Sequence, residues 1–265
     1  MRVRPKGAPL AGRKSDDTPG CDDKKRAGAL LEANRARLEL LQNRLHAESR
    51  RSLLVVLQGM DTSGKDGAIR HALTAFNPLG CYAYAFGVPS EVERSHDFLW
   101  RIHQVVPAAG EVAIFNRSHY EDVLVVRVKE LVPRAVWSRR YDAINAFEHE
   151  LAERGTTVLK FFLHISREEQ RERLLARVHD PEKHWKFREG DLEDRERWSE
   201  FRAAYSDALA RCNTAWAPWY VIPADRKWYR DLAISQIVAD ALERMDPRTP
   251  AVTLDVPRLE KRLAP

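Results

Sequence analysis

Cysteine is scarce and scattered in this chain. Cys21, Cys81 and Cys212 are the only three. No CxxC pair or Cys/His cluster accompanies them, which excludes a cysteine-built zinc site and a disulfide framework. A reducing, cytoplasmic setting fits such usage. Long apolar runs are missing as well. None approaches the roughly 20 residues needed to cross a bilayer, so no membrane partner is expected. The opening MRVRPKGAPLAGRKSDDTPG has no apolar stretch of the kind a secretory signal needs. It is rich instead in glycine, proline and charge, and residues 1–26 are expected to form a disordered or loosely docked basic arm. Charge of a single sign is also lacking: 44 Lys+Arg against 39 Asp+Glu leave a formal +5. So small an excess serves solubility and gives no reason to expect a nucleic-acid partner. It gains meaning only if the cations converge on one cleft, where they would favour a polyanion. No internal repeat is present.

The 265 residues suit one large α/β domain, long enough to hold a core without disulfides or a structural metal. Leu31, Leu38 and Leu45, with Leu41 alongside, form one stripe of a helix over residues 28–49, expected to pack along the core. Leu53–Leu57 (LLVVL) is a continuous apolar run ended by Gly59, as a buried parallel strand requires. Further strands are expected at Tyr82–Phe86, Val112–Phe115, Val158–Ile165 and Trp219–Ile222. Helical patterns fall between them, at 65–76, 91–105, 134–153, 167–177, 192–213 and 228–244. Strands alternating with helices imply a five-stranded parallel sheet flanked by helices in three layers. The domain is expected over 27–246, followed by a tail at 247–265 with four prolines that wraps the surface or frays.

Gly59-Met60-Asp61-Thr62-Ser63-Gly64-Lys65-Asp66 stands between the first strand and a helix, the context a GxxxxGK phosphate loop needs. Its backbone N–H groups and the helix N-terminus would hold phosphate oxygens, and Lys65 would supply a mobile ammonium. Asp66 takes the place of the usual Ser or Thr after the lysine, and Asp61 puts a second carboxylate inside the loop. An acid among phosphates is repulsive unless a divalent cation lies between them. Each of the two therefore either positions a metal ion or caps the helix. The second motif, Phe115-Asn116-Arg117-Ser118-His119-Tyr120-Glu121-Asp122, follows an apolar strand at the sheet end where ligands bind. Arg117 suits a forked phosphate contact, and Glu121 and Asp122 suit magnesium. Ser118 and Glu121 also read as a capping box. His119 is expected to be structural rather than a phosphorylated intermediate. Arg171, Arg173 and Arg177, with the cationic, aromatic HDPEKHWKF at 179–187, read either as a solvated helix end or as a lid over phosphates at about 177–192. Arg94 and Arg101, seven apart on a helical pattern, are candidates for the cleft wall.

GMDTSGKDG at 59–67, PSEVERSHDFLWRIH at 89–103, FNRSHYEDVLVVRV at 115–128 and HDPEKHWKF at 179–187 resemble, in that order, the polyphosphate kinase 2 family. The resemblance runs from about residue 28 to 246. It implies a P-loop kinase-like fold related to thymidylate kinases, with a helical lid, in which inorganic polyphosphate replaces ATP as donor. It puts the family's loop aspartate and lysine on Asp61 and Lys65 and its second-motif arginine on Arg117; with Glu121, singled out above, these are the expected catalytic residues. Mg²⁺, with Mn²⁺ as an alternative, would be held by Asp61 and Glu121. Substrates would be bound by Gly59, Met60, Thr62, Ser63, Gly64, Asp66, Arg94, Arg101, Asn116, Arg177, Lys183 and Lys186. Asn116 stands where many members carry Asp. The SHYEDV form, with Glu121, resembles the type that accepts both AMP and ADP, with ATP as final product. A homodimer or homotetramer is implied. Two rivals remain at this level: an ATP-dependent nucleoside monophosphate kinase, and a non-catalytic polyanion-binding module.

Overall fold

The computed structural model describes residues 1–4 and 8–264; residues 5–7, within the predicted arm, and residue 265, at the end of the predicted tail, lie outside the described residues. Five strands, β1 (Ser52–Gln58), β2 (Cys81–Ala85), β3 (Val112–Asn116), β4 (Thr156–His164) and β5 (Trp219–Pro223), form one sheet in the order β2-β3-β1-β4-β5. Every pairing is parallel. All seven residues of β1 are buried, because a central parallel strand is covered on both faces, and this is why its sequence reads as an unbroken apolar run. From β1 the chain crosses to the far edge of the sheet, returns to β3 beside β1, and only then builds β4 on the other side. The carboxyl end of β1 is therefore where the winding reverses, and a crevice opens there.

The helices are α1 (Lys24–Glu48), α2 (Lys65–Ala72), α3 (Glu91–Arg94), α4 (Trp100–His103), α5 (Val125–Val128), α6 (Arg134–Trp137), α7 (Arg140–Glu153), α8 (Arg167–Val178), α9 (Gly190–Glu196), α10 (Trp198–Arg211), α11 (Lys227–Met245) and α12 (Val256–Leu263), with 3₁₀ turns at His119–Asp122 and Pro181–Lys186. Helix α1 packs along α11. Leu38, Leu41 and Leu45 are buried in the main core, as the stripe predicts. Asn34 donates to Ser235 Oγ at 3.1 Å across this seam. Among the described residues no helix is long and apolar enough to cross a membrane.

Three expected helices are broken in the structure. The 91–105 pattern splits into α3 and α4 because the Asp97 carboxylate accepts from the Leu99 N–H at 2.9 Å, a local turn that competes with the helical ladder. The 134–153 and 192–213 patterns split at Ser138-Arg139 and at Arg197. Among its described residues the tail contains one helix, α12, capped by Asp255 and exposed along its whole length.

The arm departs from its expected looseness. Val3 N–H donates to Trp219 O at 2.8 Å and Val221 N–H to Met1 O at 3.1 Å, and Arg2 forms an antiparallel bridge with Tyr220. Val3, Leu10 and Cys21 are buried. The physical reason is that β5 ends the sheet, and its open row of backbone donors and acceptors is covered by the arm.

Candidate active site

A cleft of about 1380 Å³ opens at the carboxyl ends of β1 and β3, between α2, the 119–122 turn and α8. One wall is the loop at 59–66. Gly59 and Gly64 have φ of +156° and +99°. A Cβ on Gly59 would lie 2.6 Å from Ser63 Oγ and 2.8 Å from Leu163 O, and one on Gly64 would lie 2.0 Å from an Arg230 guanidinium nitrogen. Gly59 is thus required by space as well as by dihedral angle, whereas at Gly64, where the near atom ends a movable side chain, the positive φ is what calls for glycine. Thr62 holds φ +64° without being glycine, strain of the kind stored at functional loops. The hydroxyls of Thr62 and Ser63 are buried without a protein partner. Orphaned donors in a loop of this shape suit an anionic ligand.

Lys65 is folded back into the loop, its Nζ donating to Gly59 O at 2.8 Å and Met60 O at 3.2 Å. Burial, helped by the nearby Arg117 charge, lowers its pKa to about 8. Neither carboxylate of the loop caps α2, whose N-cap is Gly64 with no side-chain bond. The capping alternative for Asp61 and Asp66 therefore falls. Asp66 Oδ1 accepts from Asn116 Nδ2 at 2.7 Å, tying the start of α2 to the end of β3. Asp61 Oδ1 accepts from Arg117 Nη2 at 2.6 Å, and Glu121 Oε2 lies 3.3 Å from Arg117 Nη1.

Arg117 therefore sits between two carboxylates, on a backbone with φ +64° at the end of β3. Burial works against its charge, but Glu121 and Asp61 together outweigh that and keep it firmly protonated. Ser118 caps the 3₁₀ turn by accepting from Tyr120 N, but Glu121 turns to Arg117, so no capping box forms. Asp122, read from sequence as a second magnesium ligand, is instead committed to Arg140, whose Nη1 lies 2.8 Å from its Oδ1. Burial raises its pKa to about 6 against the pull of Arg140 and Arg101. His119 is fully buried and bonded to Glu148, out of reach of a phosphate.

Among the described residues no group of three or more His, Cys, Asp and Glu forms a metal cluster. Magnesium sites at phosphates use one or two carboxylates, with phosphate and water oxygens completing the shell. Asp61 and Glu121, two hard oxygen donors brought to one guanidinium beside the loop, fit that pattern.

Arg177, Lys183 and Lys186 line the far side of the cleft with Arg101. Arg177 binds Asp191 Oδ2 and Lys186 O at 3.3 and 3.2 Å, and Lys183 pairs with Asp180 at 2.5 Å. Arg173 has a different task from the lid set: it donates to Thr62 O, Ser63 O, Ala224 O and Asp225 O at 2.6–3.1 Å, stapling the loop to the end of β5. Arg94 is a correction. It is exposed, donates to Pro89 O at 2.9 Å, and lies off the cleft, because the break at Asp97 destroys the helical face that was to carry both arginines. Arg101 alone reaches the wall, donating to Gly87 O at 2.9 Å above the Phe86 ring. Gly59, Met60 and Ser63 of the same loop are not among the residues that line the cleft.

Sequence reading missed Arg230 and Asp231. They pair at 2.7 Å, are buried and line the cleft, where Arg230 packs against Gly64, with Lys227, Lys24 and Arg70 continuing the basic wall. The available signal was Lys227 and Arg230, one helical turn apart directly after the last strand.

The family model described as polyphosphate kinase 2 matches residues 21–250. The AMP/ADP-polyphosphate phosphotransferase of Meiothermus ruber is 54% identical over 91% of this chain and 91% of its own length. The ADP-polyphosphate phosphotransferase of Rhodopseudomonas palustris is 41% identical over 89% of this chain and 86% of its own. The crystal structure of polyphosphate kinase 2 from Arthrobacter aurescens TC1 superposes with a TM-score of 0.95 at 45% identity, covering 99% of this chain and 94% of that one.

Proposed function

The chain belongs to the polyphosphate kinase 2 family, and from that premise we propose that it moves the terminal phosphoryl group of inorganic polyphosphate, reversibly, onto AMP and ADP. The observation that carries the reading is the set formed by Lys65, Arg117, Asp61 and Glu121 at one mouth of a cation-walled cleft. Cations alone would serve a passive polyanion binder; the carboxylates held among them are what a metal-assisted transfer between two anions needs.

Mg²⁺, or Mn²⁺ in its place, held by Asp61 and Glu121, would neutralise charge between donor and acceptor phosphates. The chain's own groups do the rest. Loop N–H groups and the Thr62 hydroxyl bind the donor's terminal phosphate. Lys65 swings from its two carbonyls to the transferring group, where negative charge spreads in the transition state. Arg117 forks onto phosphate oxygens and orients them for in-line attack by an acceptor phosphate oxygen. That attack breaks the bond to the bridging oxygen and leaves a polyphosphate one unit shorter. Arg177, Lys183 and Lys186 close over the chain and exclude water. No covalent enzyme intermediate is required, in keeping with the sealed position of His119.

The test is a donor swap. Polyphosphate with Mg²⁺ is expected to convert ADP to ATP, and AMP to ADP and then ATP, in separate reactions. Phosphorylation of AMP by ATP with no product from polyphosphate would make the protein an ordinary nucleotide kinase. A homodimer or homotetramer belongs to the same proposal and rests on the family likeness; light scattering checks it. The cytoplasmic setting is supported by the free state of all three cysteines.

Lys65 also fixes a pH dependence. Its protonated form binds phosphate, and the free protein holds its pKa near 8. The polyphosphate kcat/KM is therefore expected to be level below that pH and to fall about tenfold per unit above it. A bound anion raises the lysine pKa, so kcat should decline only at higher pH. A kcat/KM profile level to about pH 9.5 would remove this role.

A further inference from the structure

Behind the cleft lies a buried ionic cluster that the transfer chemistry never touches. Lys160, in the middle of β4, and Glu148, on α7, are both fully buried. Lys160 occupies one cross-sheet row with Phe115, Val56 and Trp219, a position where an apolar residue would be the ordinary choice. All three of its ammonium donors are used: Glu148 Oε2 at 2.5 Å, Tyr120 OH at 2.8 Å and Cys212 O at 2.6 Å. Glu148 Oε1 in turn accepts from Tyr120 OH at 2.8 Å and lies 3.3 Å from His119 Nε2. His119 Nδ1 is buried without a partner, and burial pushes the ring toward its neutral form. Its single proton then belongs on Nε2, donated to Glu148.

Two of the residues gripped, His119 and Tyr120, stand between Arg117 and Glu121 in the chain. Arg117 holds a left-handed backbone that a non-glycine residue does not keep unaided. The 3₁₀ turn that follows it is one turn long, too short to fix its own geometry. Ser118 is tied to the sheet by Gln58 Nε2 at 3.2 Å and accepts from Tyr120 N at 3.2 Å; the bonds made by the side chains of residues 119 and 120 themselves run to this cluster. A buried ion pair is weak support for stability as such, because desolvation offsets much of the attraction. Its better use is to specify a position.

We propose that the Lys160–Glu148 pair is a positioning device for catalysis: through His119 and Tyr120 it sets the 119–122 turn, and so the placement of Glu121 and Arg117 against Asp61 and the phosphate loop. Lys160, Glu148, His119 and Tyr120 are positioning residues, since none of them meets a substrate. This rests on the phosphoryl-transfer reading, which wild-type turnover in the same assay establishes separately.

The decisive variant is Lys160→Met with Glu148→Gln, which removes both buried charges together and so leaves no unpaired charge behind. Tyr120→Phe, which deletes one hydroxyl and keeps the ring in place, is the second. Melting temperature, near-UV circular dichroism and full kinetics are read on each. The expected result is a folded double variant whose kcat falls about tenfold to hundredfold, the scale of a roughly 1 Å misplacement. Its KM for polyphosphate should change much less than kcat, since Lys65 and the lid cations Arg177, Lys183 and Lys186 keep their places and only Arg117 is displaced. Tyr120→Phe should show the same split to a smaller degree. Folded variants that keep wild-type kcat, or that lose activity only in proportion to their folded fraction, would make the cluster purely structural and overturn the proposal. A wild type inactive with polyphosphate would instead overturn the function it rests on.

Discussion

Lys65→Ala is expected to lower kcat for transfer from polyphosphate by about a hundredfold to a thousandfold, the range seen when one preorganised donor to a developing charge is removed. Its ammonium is the one side-chain cation inside the loop, buried and held at Gly59 O and Met60 O, within reach of whatever phosphate the loop binds. Truncation leaves those two carbonyls short of a donor, a cost of about 1–3 kcal/mol. It also removes a desolvated charge, whose strain shows in the lowered pKa, and the two effects partly cancel. The variant should therefore melt within a few degrees of wild type while losing turnover. A coupled ATP assay beside a thermal melt checks both statements. Turnover within a few-fold of wild type in a folded variant would remove Lys65 from the mechanism.

Asp61→Ala should have a comparable effect for a different reason. Its carboxylate neutralises Arg117 at 2.6 Å and is one of two that suit the metal. Without it, Glu121 remains as the sole carboxylate of that pair. We expect kcat to fall by about two orders of magnitude or more, the scale of lost electrostatic preorganisation. The Mg²⁺ concentration for half-maximal rate should rise about tenfold, as for a lost carboxylate ligand at a phosphate site. Arg117, freed of one counter-charge, should hold polyphosphate at least as tightly as before. A variant with lowered kcat but an unchanged Mg²⁺ curve would confine Asp61 to orienting Arg117. Near-normal kcat would remove it from the site.

The five strands and the loop between β1 and α2 were legible residue by residue. LLVVL and GMDTSGKD carry their meaning in adjacent positions: burial on both faces for the one, positive φ and open N–H groups for the other. The strand candidates lie within two residues of the observed β-strands. Helix ends were harder. The 91–105 helix fails at a single Asp97 side-chain bond, which a periodic pattern of apolar residues does not register, and Arg94 was misplaced as a direct consequence. The arm was misread for another reason: its composition resembles a disordered segment, and only the exposed edge of β5 shows what it pairs with.

Family, the parallel five-stranded sheet and the glycine-rich loop between β1 and α2 were thus legible in the sequence alone, because each depends on short-range pattern or on residues within one motif. Tertiary structure alone decided which partner each charged group takes. Asp61 meets Arg117, Asp66 meets Asn116 and Asp122 turns away to Arg140. Arg173 staples the loop to β5, Arg230 closes on Gly64, and Lys160 finds Glu148, Tyr120 and the carbonyl of Cys212. A carboxylate or a guanidinium accepts any opposite charge within a few ångströms, so its sequence neighbours do not choose for it. The choice is made by the packing of elements distant along the chain, and the chemistry of this site depends on that choice.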